Sequence, residues 1–95
     1  MDDISEYVAS FCKKELIYLY DIKRRVFEAW MRDTEKIIGK EKGRMYTPKQ
    51  IEVMFTIHGV PPMLRALKKK GYLDEYLRKR IVKPGWLDEN SGKAA

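Results

Sequence analysis

Apolar residues in the first third of the chain recur at helical intervals in two short segments. They predict one helix over residues 13–20 and a second over residues 24–33, separated by only three residues. Cys12 and Glu15 form a weakened capping box at the first helix, because a thiol is a poor hydrogen-bond acceptor. Residues 7–11 fit either a strand that leads into this helix or a helical turn.

The clearest helix start lies at Thr47. Pro48 occupies the first helical position, and Gln50 occupies the reciprocal position of a capping box. The apolar spacing continues to His58, and we expect Gly59 to end the helix in a left-handed conformation. This segment therefore predicts a short third helix with a defined start and end.

The last third of the chain predicts two further helices, over residues 62–70 and 74–83, with Gly71 between them. Tyr72 occupies the position from which a Schellman cap makes its apolar contact, here onto Leu67. The second of these helices places four apolar residues on one side: Leu73, Tyr76, Leu77 and Ile81.

Turn-forming residues mark two segments outside these helices. Residues 37–46 carry two glycines around a charged tip with apolar residues on both sides, the pattern of a small β-hairpin, or wing. Residues 83–86 predict a turn, after which Trp86 either folds back onto the core or stays exposed. Residues 88–95 lack large apolar side chains and are expected to be disordered.

The composition limits the classes of protein to which the chain can belong. Its 95 residues suffice for one domain with a thin core, which we place at residues 1–87. One cysteine excludes a disulfide framework, and no apolar run is long enough for a membrane span. We find no catalytic constellation or phosphate-binding glycine loop and expect no enzyme, cofactor or metal. The N-terminal residues lack a secretion signal, so we expect a soluble, cytoplasmic protein.

Positive charge is concentrated towards the end of the chain, whose formal net charge is +6. Residues 61–83 hold eight basic and two acidic side chains, whereas residues 1–50 have a net charge of only +2. Such a field attracts a polyanion and accelerates encounter with it. The same charge also fits a solvated face that keeps the protein soluble.

Five apolar residues between positions 16 and 30 have the spacing of a helix-turn-helix: Leu16, Tyr20, Ile22, Phe27 and Trp30. If they hold the first two helices together, the outward positions at the start of the second helix are Lys23, Arg24, Arg25, Glu28 and Ala29. A recognition helix reaches the major groove from these positions. A guanidinium there can bond a guanine edge, worth roughly 1–3 kcal/mol of discrimination. Glu28 fits either a contact to cytosine or an ion pair with a neighbouring arginine.

The pattern resembles a known family, and the residues that carry the resemblance are Lys14, Glu15, Leu16, Leu19, Tyr20, Phe27, Trp30, the run Gly43-Arg44-Met45-Tyr46-Thr47-Pro48, and Ile51. They look like the MerR-like helix-turn-helix fold with its excisionase-type relatives, and like short bacterial proteins known only as a domain of unknown function. The resemblance covers about residues 10–60. It implies that Arg24 and Arg25 face DNA and that Arg44, Lys40 and Lys42 touch phosphate. The chain departs from the family at Ile17, where a small residue is usual, and at Asp21, where glycine is usual.

We therefore expect a mostly α-helical, MerR-like winged helix-turn-helix with a short β-hairpin wing and two appended helices over residues 61–83. The expected function is binding of double-stranded DNA, as a transcriptional regulator or a recombination-accessory factor. The expected base-reading residues are Lys23, Arg24, Arg25 and Glu28. The expected phosphate contacts are Lys40, Lys42, Arg44, Lys68, Lys69 and Lys70.

Two alternatives stay open. In the first, the protein is a non-catalytic adaptor in which residues 61–87 bind a protein partner or a second copy of the chain. In the second, a helix-turn-helix lies over residues 51–70, but there Arg65 and Lys68 fall where apolar residues are needed. His58 and Cys12 have no partners at metal-ligand or nucleophile spacing, so a capping or packing role is expected for them.

Overall fold

The computed structural model describes residues 3–86 and consists of helices joined by short loops. Within that range, a 3₁₀ turn over Ile4–Tyr7 precedes five helices: α1 Lys13–Tyr20, α2 Arg24–Ile38, α3 Pro48–His58, α4 Pro62–Lys70 and α5 Leu73–Lys79. The expected mostly helical fold is confirmed, and α1 and α4 have the predicted bounds. None of the helices in residues 3–86 combines the length and the apolar character needed to cross a membrane.

α1 begins with the predicted weakened capping box, in which the Cys12 N–H donates to the Glu15 carboxylate at 3.1 Å.

The three-residue turn between α1 and α2 depends on Asp21. At the end of α1, Asp21 takes the left-handed conformation, with φ 56° and ψ 50°. The N–H groups of Asp21 and Ile22 donate back to the last turn of α1. Aspartate tolerates this conformation better than most side chains, so the turn forms without a glycine.

A single hydrophobic core joins the helices, with α1 packed mainly against α4 and α2 mainly against α3. Leu16, Tyr20 and Phe27 are buried in this core, whereas Ile22 and Trp30 are half-buried and pack against it. The rings of Tyr20 and Trp30 meet edge to face, with centroids 5.3 Å apart. The predicted contact between the first two helices is therefore present, although each helix has its larger interface elsewhere.

α2 ends later than the apolar pattern predicts, at Ile38 instead of Asp33. The Gly39 N–H donates to the Glu35 carbonyl oxygen at 2.8 Å and so closes the last helical turn. Ile37 therefore lies in the helix and cannot belong to the first strand of the expected hairpin.

The expected β-hairpin wing is not confirmed. Residues 39–46 form a loop instead, and residues 3–86 contain isolated bridges, Lys42 with Met45 and Phe11 with Tyr46, but no strand. The Lys42 N–H donates to the Met45 carbonyl oxygen at 2.8 Å, which closes a tight turn at the loop tip. We call this segment, residues 39–46, the basic loop.

Two helix ends show how far local chemistry determines the chain path. The Gly71 N–H donates to the Lys68 carbonyl oxygen at 3.0 Å, and the Tyr72 N–H donates to the Leu67 carbonyl oxygen at 2.8 Å. These two bonds form the predicted Schellman cap. Gly59 also has a positive φ, but its ψ of 163° differs from the expected left-handed helical conformation.

α5 is shorter than predicted and ends at Lys79 because Arg80 leaves the helical conformation with φ 58°. The Arg80 side chain donates from Nε to the Leu77 carbonyl oxygen at 2.9 Å and from Nη1 to the Glu15 carboxylate at 3.0 Å. Beyond this point Ile81 is 64% exposed, so its predicted position on the inner side of the helix is wrong.

The segments at the two ends of the described chain resolve two open alternatives. Tyr7 ends the 3₁₀ turn, and Phe11 pairs with Tyr46 in a single bridge, so residues 7–11 form no strand. Trp86 is only 8% exposed and stacks on Tyr72 with ring centroids 4.5 Å apart. It therefore folds back onto the core. Residues 88–95, expected to be disordered, lie outside the described residues.

Candidate nucleic-acid interface

The start of α2 presents three basic side chains to solvent. Lys23 occupies the N-cap position without a side-chain capping bond, and the first turn contains no acidic residue. Lys23, Arg24 and Arg25 are all exposed, as predicted. A helix N-terminus carries a partial positive charge, so each cation there is unfavourable by roughly 0.3–1 kcal/mol. The position of these residues is therefore not explained by helix stability.

Within this group, Arg24 forms an ion pair and Arg25 does not. Arg24 Nη1 lies 3.5 Å from the Glu28 carboxylate, one helical turn away, and both side chains are more than half exposed. Such a pair stabilises a helix by only about 0.3–0.5 kcal/mol. In the part of the chain that the structure describes, Arg25 and Lys23 have no carboxylate partner. Arg25 is thus the more available of the two arginines.

The solvent face of α2 carries a basic residue that the sequence analysis missed. Arg32 is exposed and lies seven residues after Arg25, so that both project from the same side of the helix. Its spacing to Arg25 was the signal that could have identified it. Lys36 continues the same face but pairs with Asp33 at 3.5 Å.

The basic loop begins at the opposite end of α2. Its cations Lys40, Lys42 and Arg44 are exposed, as predicted. Since α2 rises 1.5 Å per residue, Arg25 and Ile38 are about 20 Å apart along the helix axis. The structure therefore places the predicted base-reading residues and the start of the basic loop at opposite ends of α2.

Buried polar groups hold the basic loop in place. Nε2 of Gln50 donates to the carbonyl oxygens of Ile38 at 3.0 Å and Lys40 at 2.9 Å. The buried Tyr46 hydroxyl donates to the Glu35 carboxylate at 2.7 Å, and burial together with that carboxylate raises the pKa of the tyrosine. These contacts fix both ends of the loop and leave its charged tip in solvent.

The three lysines at the end of α4 have a structural explanation of their own. Lys68 is half-buried, pairs with Glu6 and lies 5.6 Å from the centre of the Tyr7 ring. Lys69 and Lys70 are exposed. All three occupy the last helical turn, where the helix dipole favours positive charge.

The single histidine packs, as expected. Its ring stacks on Trp30 with centroids 4.7 Å apart, and its Nε2 lies 2.7 Å from the Thr34 hydroxyl. Burial lowers the pKa of His58. Cys12 is a half-buried free thiol. Within residues 3–86, no three metal-ligating side chains come together.

Comparisons of the chain with protein-family models, curated proteins and solved structures find no match in any of the three.

Proposed function

We propose that the protein binds double-stranded DNA and reads the major groove with α2, in the manner of the MerR-like winged helix-turn-helix proteins that its sequence resembles. In this proposal it acts as a transcriptional regulator or a recombination-accessory factor. The observation that carries the proposal is the uncapped start of α2, where Lys23, Arg24 and Arg25 are exposed together. Free helix N–H groups and basic side chains at one point both favour a negatively charged ligand.

The proposal assigns base reading and phosphate contact to different residues. Arg24 and Arg25 read base edges, whereas the basic loop replaces the hairpin wing and contacts the phosphate backbone through Lys40, Lys42 and Arg44. The anchoring of its backbone through Gln50 supports this role, because a backbone that is already ordered loses less conformational entropy on binding. Lys68–Lys70 would then supply at most flanking phosphate contacts.

A salt titration with random-sequence duplex DNA tests the binding itself. Release of counterions makes log affinity fall linearly with log salt concentration, with a slope of about −0.9 for each phosphate neutralised. A negative slope corresponding to several contacts is expected. Absence of duplex binding at low salt would contradict the proposal.

Substitutions test the assignment of base reading and phosphate contact to different residues. Arg25→Ala should lower affinity for a selected site more than for random duplex, while the free energy of unfolding stays unchanged or rises slightly, since a cation leaves the positive end of α2. The double variant Lys69→Ala with Lys70→Ala should weaken both kinds of binding alike. Arg78→Ala removes an exposed arginine from α5 and serves as the matched control. Equal losses for the Arg25 and lysine variants on both duplexes would refute this assignment.

A second candidate function is supported by an exposed apolar surface. Ile81 and Tyr18 are 64% and 49% exposed and line the same open cleft between α1 and the segment after α5. We propose this cleft as the docking surface of an adaptor if the salt titration finds no DNA binding. Trp86 takes no part in that surface, because it is buried against Tyr72.

A further inference from the structure

One straight row of residues marks the side of α2 that faces away from the core. The row has the spacing i, i+4, i+7, i+11, and all its members are exposed: Arg25, Ala29, Arg32 and Lys36. The buried residues of α2 lie on the opposite side: Phe27, Met31 and Thr34. The row is therefore the part of the helix that a large ligand would meet first.

The row has a gap in its middle. Ala29 projects only a methyl group between Arg25 and Arg32, so the helix backbone can approach a surface closely at that point. The two arginines are about 10 Å apart along the helix axis, which corresponds to at most roughly three base pairs of B-DNA. A major groove about 12 Å wide admits an α-helix in this orientation.

Glu28 pairs with Arg24 and not with Arg32. Glu28 precedes Arg32 by four residues and is in position to pair with it, but the Glu28 carboxylate lies 3.5 Å from Arg24 instead. Among residues 3–86, Arg32 has no ion-pair partner. Glu28 thus lies beside Arg24 and Asp33 beside Lys36, while Arg25 and Arg32 have no carboxylate partner among residues 3–86.

We infer that Arg25, Ala29 and Arg32 form the surface of α2 that lies deepest in the major groove, and that Arg32 is a base-reading residue in addition to those already proposed. The inference rests on the proposed DNA binding. Arg25 and Arg32 each donate in bidentate fashion to a guanine edge, and these guanines lie at most about three base pairs apart. Ala29 allows the helix to come close enough for both contacts.

Selection from a randomised duplex library with the full chain, followed by affinity measurements at one salt concentration, tests this inference. Arg32→Ala should lower affinity for the selected duplex about 10-fold or more and relax the preference at one base pair. Arg25→Ala should relax a different base pair, up to about three positions away. Ala29→Leu should lower affinity for the selected duplex by a similar factor with its helix content unchanged by circular dichroism. Arg78→Ala should change affinity less than twofold.

The outcomes separate this inference from the proposed function. If the wild-type chain binds no duplex, the proposed DNA binding is wrong, and the inference with it. If the wild-type chain selects a sequence and Arg25→Ala relaxes it, but Arg32→Ala behaves like Arg78→Ala, the assignment of Arg32 is overturned and DNA reading by α2 stands. Unchanged affinity of Ala29→Leu would overturn the close approach at that position.

Discussion

Gln50 offers a direct test of how the basic loop is held. Its side chain is almost fully buried, with 5% exposed, and it makes three hydrogen bonds: to the carbonyl oxygens of Ile38 and Lys40 and from the Thr47 N–H at 2.8 Å. Gln50→Ala removes all three. At about 1 kcal/mol net for each bond, we expect the free energy of unfolding to fall by about 3 kcal/mol. Small domains have a free energy of unfolding of about 5–15 kcal/mol, so this loss is a large part of the total.

Urea denaturation followed by circular dichroism measures this loss. Thr47→Ala is the matched control, because it removes only the capping bond from the Gln50 N–H and should cost about 1 kcal/mol. A loss for Gln50→Ala no larger than that of Thr47→Ala would refute the role assigned to the Gln50 amide.

Gln50→Glu separates the hydrogen bonds from the packing. It keeps an acceptor for Thr47 but turns a carboxylate oxygen towards two carbonyl oxygens. The folded state then favours the protonated carboxyl group, which raises the pKa of that carboxyl. The variant should therefore be less stable than Gln50→Ala at neutral pH and gain stability as the pH falls. A variant whose stability did not rise on acidification would contradict the geometry around Gln50.

Three further predictions concern single contacts. Arg80→Ala should lower the free energy of unfolding by about 2 kcal/mol through loss of the Glu15 ion pair. Arg80→Gly should lower it by less, since glycine accepts φ 58° without strain, and equilibrium denaturation of both variants tests this order. Because burial lowers the pKa of His58, the unfolded chain takes up a proton first as the pH falls below about 6.5; stability should fall in that window, and His58→Gln should lack this part of the slope. Asp21→Val should cost roughly 1–2 kcal/mol in the same denaturation assay, because a β-branched side chain resists φ 56°.

The parts of the fold that follow from neighbouring residues were predictable from the sequence. The start of α3 depends on Thr47 and Gln50, and the end of α4 on Gly71, and in each case the partners lie within a few positions along the chain. The path of the chain at the end of α2 depends instead on a residue twelve positions away, since Nε2 of Gln50 donates to the Ile38 carbonyl oxygen. β-branched residues before a glycine resemble a strand when that distant contact is unknown.

The same limit explains the errors at α5 and at the candidate interface. Nothing in the local pattern indicates that Arg80 pairs with Glu15, 65 positions earlier, and this contact helps to end the helix before Ile81. Exposure of Arg25 followed from helical periodicity alone. Exposure of Arg32 follows from the same periodicity, since the predicted helix over residues 24–33 already contains it, but the pairing of Glu28 with Arg24 does not.

The position of a basic cluster on its helix says more about function than the number of its charges. Lys68, Lys69 and Lys70 occupy the end of α4 that a helix dipole makes favourable for cations, so folding alone accounts for them. Lys23 and Arg25 instead lie at the N-terminal end of α2, where a serine or an acidic residue would stabilise the helix by about 1 kcal/mol. An arrangement that lowers stability at an exposed site fits a ligand that reverses the sign of the interaction, as a phosphate backbone does in the DNA binding that we propose. The cluster at the start of α2 is therefore the stronger indication of nucleic-acid binding, although residues 61–83 carry most of the net charge of the chain.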